Sequence, residues 1–188
     1  MRNKPAIRML RLQTEAANLY SVNNYLTHKM YKMELKTKVN AKEAEQQLLV
    51  TRQFNLPVEM LFKAFSMPEL LGQWMGTQVL VLENHPLGKY QFETRNAEGE
   101  IVFQAMGTIH GVTPNKQIIR TFEMLNTPFA PQLEFLDFIP INEYESELRM
   151  QMIYRTRELR DQMLKMPFAS GISKAHDRLE ALMQKELN

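Results

Sequence analysis

Between residues 78 and 156 apolar and polar side chains alternate with a period of two, and turn signals cut this run into strand-length pieces. Successive side chains of a strand point to opposite faces, so this text describes a sheet with one buried and one wet face. Beyond Gly171 the period changes. Ile172, Ala175, Leu179, Leu182 and Met183 form an apolar helical stripe, opposed by Lys174, Asp177, Arg178, Glu180 and Lys185. His176-Asp177 falls on the polar side of this helix and reads as solvated. A one-sided sheet and an amphipathic helix must bury their apolar faces against each other.

The strand pieces can be phased. Lys89–Arg95 puts Tyr90 and Phe92 on one face. Glu100–Val112 puts Ile101, Phe103, Ala105, Gly107 and Ile109 together, and Gly107 with Gly111 reads as a bend or bulge. Gln117–Leu125 follows. Gln132–Ile139 is phased with Leu133, Phe135 and Ile139 inward, which makes Asp137 the one acid on that face. In Tyr144–Arg155, Leu148, Met150, Met152 and Tyr154 share a side. His85-Pro86-Leu87-Gly88, Asn96-Ala97-Glu98-Gly99 and Thr113-Pro114-Asn115-Lys116 are the turns.

Upstream, Gln46–Phe54 reads as a strand. Pro57 opens a helix whose Val58, Leu61, Phe62 and Phe65 share a face. Ser66-Met67-Pro68-Glu69 has capping-box spacing and restarts a short helix through Leu70, Leu71 and Trp74, with Gly76 as its stop. Glu158–Met166 reads as helical until Pro167.

Composition narrows the chemistry. At 188 residues the chain is one domain plus an appendage. The absence of cysteine excludes disulfides, thiolate nucleophiles and zinc–thiolate sites. The longest aliphatic run is Val79 to Leu82, so no spanning helix is expected, and the expected location is the cytoplasm. Residues 1–42 carry nine Lys/Arg against two acids, a balance of +7, while 43–188 carry 14 against 19, a balance of −5. This divides the chain into a basic N-terminal extension, 1–42, and an acidic domain, 43–188. The acidic body argues against a nucleic-acid partner. Ala6 to Leu26 is a mediocre amphipathic pattern, and Met33 is an alternative start. The four histidines, His28, His85, His110 and His176, show no metal-ligand spacing, and nucleophile-elbow and phosphate-loop motifs are absent. No catalytic residue, metal site or cofactor is read.

The order of these words resembles a known family. Thr51-Arg52-Gln53-Phe54 is followed by Pro57-x-x-x-Leu61-Phe62-Lys63-Ala64-Phe65 and Pro68-Glu69-Leu70-Leu71-x-Gln73-Trp74. Gly88-x-Tyr90-x-Phe92, Gly99-Glu100, Gly107, Val112-x-Pro114 and Ile119-x-x-Thr121 come next, then Arg160-Asp161-x-Met163-Leu164, Gly171 and Asp177-Arg178-Leu179-Glu180-x-Leu182. Residues 46–188 thus resemble a SRPBCC (START-like, helix-grip) domain of the activator of heat-shock protein 90 ATPase homologue type. Met75, where many relatives carry a second Trp, and the methionine-rich interior depart from the pattern.

The resemblance implies an α+β helix-grip fold: a curved antiparallel sheet around a long C-terminal helix, with two short helices after the first strand. It also implies a cavity between sheet and helix that takes a hydrophobic small molecule, lipid-like or aromatic. Strand phase and helix stripe nominate Trp74, Tyr90, Phe92, Phe103, Phe122, Met124, Phe135, Met150, Met152, Tyr154 and Met163 as its lining. The same residues would equally fill a solid core. Fourteen methionines suit an adaptable pocket. The resemblance leaves two other readings open: a module acting on a chaperone or other protein partner, and a cavity enzyme without metal or cofactor. An enzyme would bring two or more titratable groups together inside the cavity.

Overall fold

The computed structural model describes residues 36–187, and the readings placed on residues 1–35 lie outside them. Eight strands form one antiparallel sheet: β1 (Lys38–Asn40), β2 (Gln47–Phe54), β3 (Gln78–Leu82), β4 (Lys89–Arg95), β5 (Ile101–Thr113), β6 (Gln117–Met124), β7 (Gln132–Pro140) and β8 (Ser146–Ile153). Their order is β1-β2-β8-β7-β6-β5-β4-β3. Strands β3 to β8 are a meander of sequence neighbours, and only β2–β8 joins distant chain segments. Helices α1 (Val58–Ser66) and α2 (Pro68–Met75) connect β2 to β3, and α3 (Arg157–Lys165) leads to the long terminal α4 (Phe168–Glu186). This is the expected helix-grip architecture, a curved sheet holding a long C-terminal helix. The sheet begins at Lys38, within the stretch that charge alone groups with the extension; β1 pairs Val39 with Val50.

Local chemistry accounts for the elements. Pro57 precedes α1, whose Val58, Leu61, Phe62 and Phe65 are buried as their spacing requires. The expected capping box does not form. Met67 is the residue before α2, and the Ser66 hydroxyl donates to Lys63 O at 3.4 Å instead. Pro68 at the first position supplies a fixed φ and one fewer N–H to satisfy, which makes a side-chain cap less necessary. Gly76 ends α2 at φ 70°, a left-handed conformation that glycine adopts without strain. Arg178 of α4 then donates to Trp74 O at 2.9 Å, satisfying a carbonyl of the last turn and fastening α2 to α4. The β5–β6 register shifts between Ile109 and Gly111, which is the expected bulge. At Gly107 a Cβ would stand 1.9 Å from Thr121 O and 2.7 Å from Tyr90 Oη, so only glycine lets β4, β5 and β6 close here.

Two phases differ from the sequence reading. In β7 the buried residues are Gln132, Glu134, Leu136 and Phe138, while Leu133, Phe135, Asp137 and Ile139 are half-buried on the opposite face. Both faces of this strand carry apolar residues, so alternation alone has two solutions one residue apart. Asp137 is therefore not an inward acid; it accepts from Gln117 Nε2 at 2.7 Å. In α4 the buried residues are Ser173, His176, Leu179, Glu180 and Met183, so the inward face is rotated from the apolar stripe. His176 is 1% exposed rather than solvated.

Candidate functional site

The rotation of α4 has an electrostatic cause. Arg52 points inward from β2 and is fully buried, a placement that requires paired anions. Its Nη2 donates to Glu180 Oε2 at 2.7 Å and its Nη1 to Asp177 Oδ1 at 2.6 Å. Burial opposes ionisation of Glu180. The Asn55 backbone N–H and the Arg52 guanidinium outweigh it and hold the carboxyl below its ordinary pKa. One more contact joins the group: Thr37 Oγ1 lies 3.1 Å from His176 Nδ1 and accepts from Arg52 Nη1 at 3.4 Å. Because the Thr37 hydroxyl accepts from Arg52, its own proton is free to donate to Nδ1, which assigns the neutral tautomer protonated at Nε2. Burial, then the Arg52 charge, push the His176 pKa down to about 3. The ring is wedged between Phe54, 5.6 Å away edge-on, and Trp74 at 6.3 Å.

Beside this network the sheet and α4 do not meet. A cavity of about 470 Å³ lies between them, bounded by α2, α3, α4 and the inner faces of β4 to β8. Of the residues nominated from sequence, the structure brings Trp74, Phe103, Phe122, Met124, Met150, Met152, Tyr154 and Met163 to its wall. Tyr90 and Phe92 are buried in the core but do not reach it. Tyr90 is held by a 2.6 Å hydrogen bond from its Oη to Thr121 O and stacks on Phe92 at 5.0 Å. Phe135 lies on the opposite face of the sheet, because β7 is phased one residue from the reading that nominated it. Gly76, Gly171 and Arg178 are exposed and also line the cavity, so it reaches the surface between the end of α2 and the first half of α4.

Sequence reasoning missed a polar group set into this apolar wall. Register places Arg120 opposite Glu134 and Phe122 opposite Gln132 across β6 and β7, and Glu134 opposite Met152 across β7 and β8. Arg120 Nε donates to Glu134 Oε2 at 2.8 Å, and Gln132 Nε2 to Glu134 Oε1 at 2.7 Å. Tyr154, one residue past β8, adds a hydroxyl that is buried and has no hydrogen-bond partner among the described residues. Burial, and then the Glu134 charge, push the Tyr154 phenol well above its ordinary range. Arg120 also sits over the Tyr90 ring, 4.9 Å from its centroid. Burial works against its charge, but Tyr90 and Glu134 more than compensate, so the guanidinium stays protonated. One signal could have exposed the set. Glu134 is an acid on the Leu136–Phe138 side of β7, and that side is the inward one once Phe62 and Phe65 are seen to pack on Phe138.

Among the described residues no group of three or more His, Asp or Glu side chains is arranged to hold a metal ion, and no helix is long and apolar enough to cross a membrane. The sequence profile of the family described as Activator of Hsp90 ATPase homolog 1-like protein matches residues 55–184. The chain belongs to this family. Solved structures share the family's fold with it. A Rhodobacter sphaeroides protein superposes with TM-score 0.71 at 23% identity, covering 79% of this chain and 99% of its own. The protein Ms6760 from Mycobacterium smegmatis gives 0.70 at 19%, covering 78% and 95%. An Arthrobacter aurescens protein gives 0.71 at 11%, covering 79% and 91%. No curated protein matches. Membership supports a ligand-binding or regulatory domain; at these identities the neighbours show the fold alone.

Proposed function

We propose that this protein binds a hydrophobic small molecule, lipid-like or aromatic, in the cavity between the sheet and α4. The observation that carries this reading is the cavity itself. A volume of about 470 Å³ lies within the usual span of small-molecule sites, roughly 300–1,000 Å³. Its wall is aromatic and thioether-rich, with a few convergent polar groups, which is the composition such sites have. Native interiors pack densely, so a hollow of this size beside well-packed aromatic pairs is a feature that a purely structural core would not retain.

Titratable groups do converge in the cavity, which is the arrangement set out above for an enzyme. Their protonation states favour binding. His176 is pinned neutral, Tyr154 is pinned protonated, and Glu134 is engaged at both oxygens by Arg120 and Gln132. General acid–base work favours a group that titrates near the working pH. His176 and Tyr154, each held in one state, act as fixed donors and acceptors, and the Glu134 oxygens are already taken.

The test is native mass spectrometry of the freshly purified full-length chain, joined to titration with a hydrophobic fluorophore such as 1-anilinonaphthalene. The expected result is saturable one-to-one binding that Ala175→Trp, which fills the cavity from α4, abolishes without unfolding the protein. Absence of saturable binding to the wild type, or undiminished binding to the folded Ala175→Trp variant, would overturn the reading.

A further inference from the structure

Tyr154 has the least conventional environment in the cavity. It is 3% exposed, and its hydroxyl finds no partner among the described residues. A buried hydroxyl without a protein partner is destabilising relative to a satisfied one. Phenylalanine would fill the same space without that penalty. Tyr154 lies one step beyond the Leu133–Ile153 pair, next to Gln132, and shares the cavity wall with Arg120, Glu134 and Gln132; the Glu134 charge acts on its hydroxyl. The sole hydrogen bond of the Arg120 side chain to a described residue is the one from Nε to Glu134. The guanidinium is a five-donor group, so its terminal nitrogens retain donor capacity on the cavity side. Gln132 spends its amide N–H on Glu134, leaving its carbonyl oxygen as an acceptor.

From this we infer that the cavity selects a ligand with one uncharged oxygen-bearing end, a hydroxyl or a carbonyl, on an otherwise apolar body. The end group is held at the Tyr154–Arg120–Gln132 cluster. The inference rests on the proposed cavity function and specifies its substrate class. Tyr154 donates its idle hydroxyl proton to the ligand oxygen, and Arg120 supplies a second donor. A ligand hydroxyl returns its own proton to the Gln132 carbonyl. Charge settles the choice between a neutral and an anionic end. At the Tyr154 cluster the Arg120 cation is already balanced by Glu134 at 2.8 Å and His176 carries no charge; the other cation of the wall, Arg178, is exposed at the cavity mouth, where it donates to Trp74 O. A carboxylate would enter as an uncompensated buried charge, whereas a hydroxyl or carbonyl leaves the balance intact.

Three probes that share one ring system separate the possibilities: naphthalene, 2-naphthol and 2-naphthoate. Each is titrated against wild type and Tyr154→Phe by displacement of 1-anilinonaphthalene. The variant loses only an unpartnered hydroxyl, so it folds, and its thermal unfolding midpoint equals or exceeds that of wild type. The expected result is that Tyr154→Phe weakens 2-naphthol about tenfold, one well-made hydrogen bond, and naphthalene less than twofold. Wild type is expected to bind 2-naphthol more tightly than 2-naphthoate. Equal weakening of naphthalene and 2-naphthol, or weakening of neither, overturns the role of Tyr154 while the cavity reading stands. Preference for 2-naphthoate overturns the neutral end group. Failure of every probe and of the fluorophore to bind wild type overturns the cavity reading, and this inference with it.

Discussion

His176 couples folding to pH, and the size of the effect follows from its surroundings. The groups facing it are Arg52 from β2, Thr37 beside β1, and Asp177 on its own helix, with Glu180 one turn on. Its pKa falls from 6.5 to about 3 on folding. Between those values the unfolded chain binds a proton that the folded protein refuses. The stability contributed by the neutral ring is therefore complete above pH 6.5 and is lost as pH falls below it. Integrating between pH 7.5 and pH 5 gives a loss of about 2 kcal/mol from this one residue. The perturbation is His176→Gln, which retains an acceptor for Thr37 and removes the titration. Urea unfolding of both proteins at the two pH values is read from the fluorescence of Trp74, the sole tryptophan, which is buried against Phe65. All other titrating groups are common to both proteins and cancel in the difference. Wild type should lose about 2 kcal/mol more than the variant on going to pH 5. Equal losses, or a His176 ring that titrates near 6.5 in the folded protein by NMR, would refute the account.

Other consequences follow from the same contacts. Arg52→Met leaves the Glu180 carboxylate, of which little is exposed, with only Lys36 Nζ at 3.3 Å and the Asn55 N–H as partners, and should destabilise by roughly 1–3 kcal/mol in urea unfolding; adding Glu180→Met should recover most of that loss. Tyr154→Phe should leave the ligand-free protein as stable as wild type or more stable, by up to about 1 kcal/mol, because a buried hydroxyl without a partner is removed. Gly107→Ala should destabilise by more than about 1 kcal/mol, since its methyl group meets Thr121 O, a backbone atom that cannot swing away; an unchanged unfolding midpoint would contradict the close approach of β6 to Gly107 of β5.

Much of the architecture could be read from the chain because its elements announce themselves locally. The first short helix carries Val58, Leu61, Phe62 and Phe65 at i, i+3, i+4 and i+7, and the second buries Leu70, Leu71 and Trp74 on one side. Gly76 and Gly99 mark a helix end and a hairpin turn with positive φ. Strands β5 and β8 have one greasy side, so Phe103, Met150, Met152 and Tyr154 could be assigned to the interior without any partner strand in view. Phe135 could not, because Leu133, Phe135 and Ile139 are as apolar as Leu136 and Phe138. Only the rings that Phe62 and Phe65 set against Phe138 decide which side of β7 is inside.

Periodicity and turn chemistry are properties of a residue and its near neighbours, so the sequence by itself determined the strands, the helices and the one-sidedness of the sheet. Charge pairing across the fold is not such a property. Arg52 meets Asp177 and Glu180 after more than a hundred intervening residues, and that meeting turns α4 so that a histidine and a glutamate, polar by type, face inward. Arg120, Glu134, Gln132 and Tyr154 become one cluster only through the register of three strands. The hollow they border exists because the sheet bends away from the helix, and no residue encodes that distance alone.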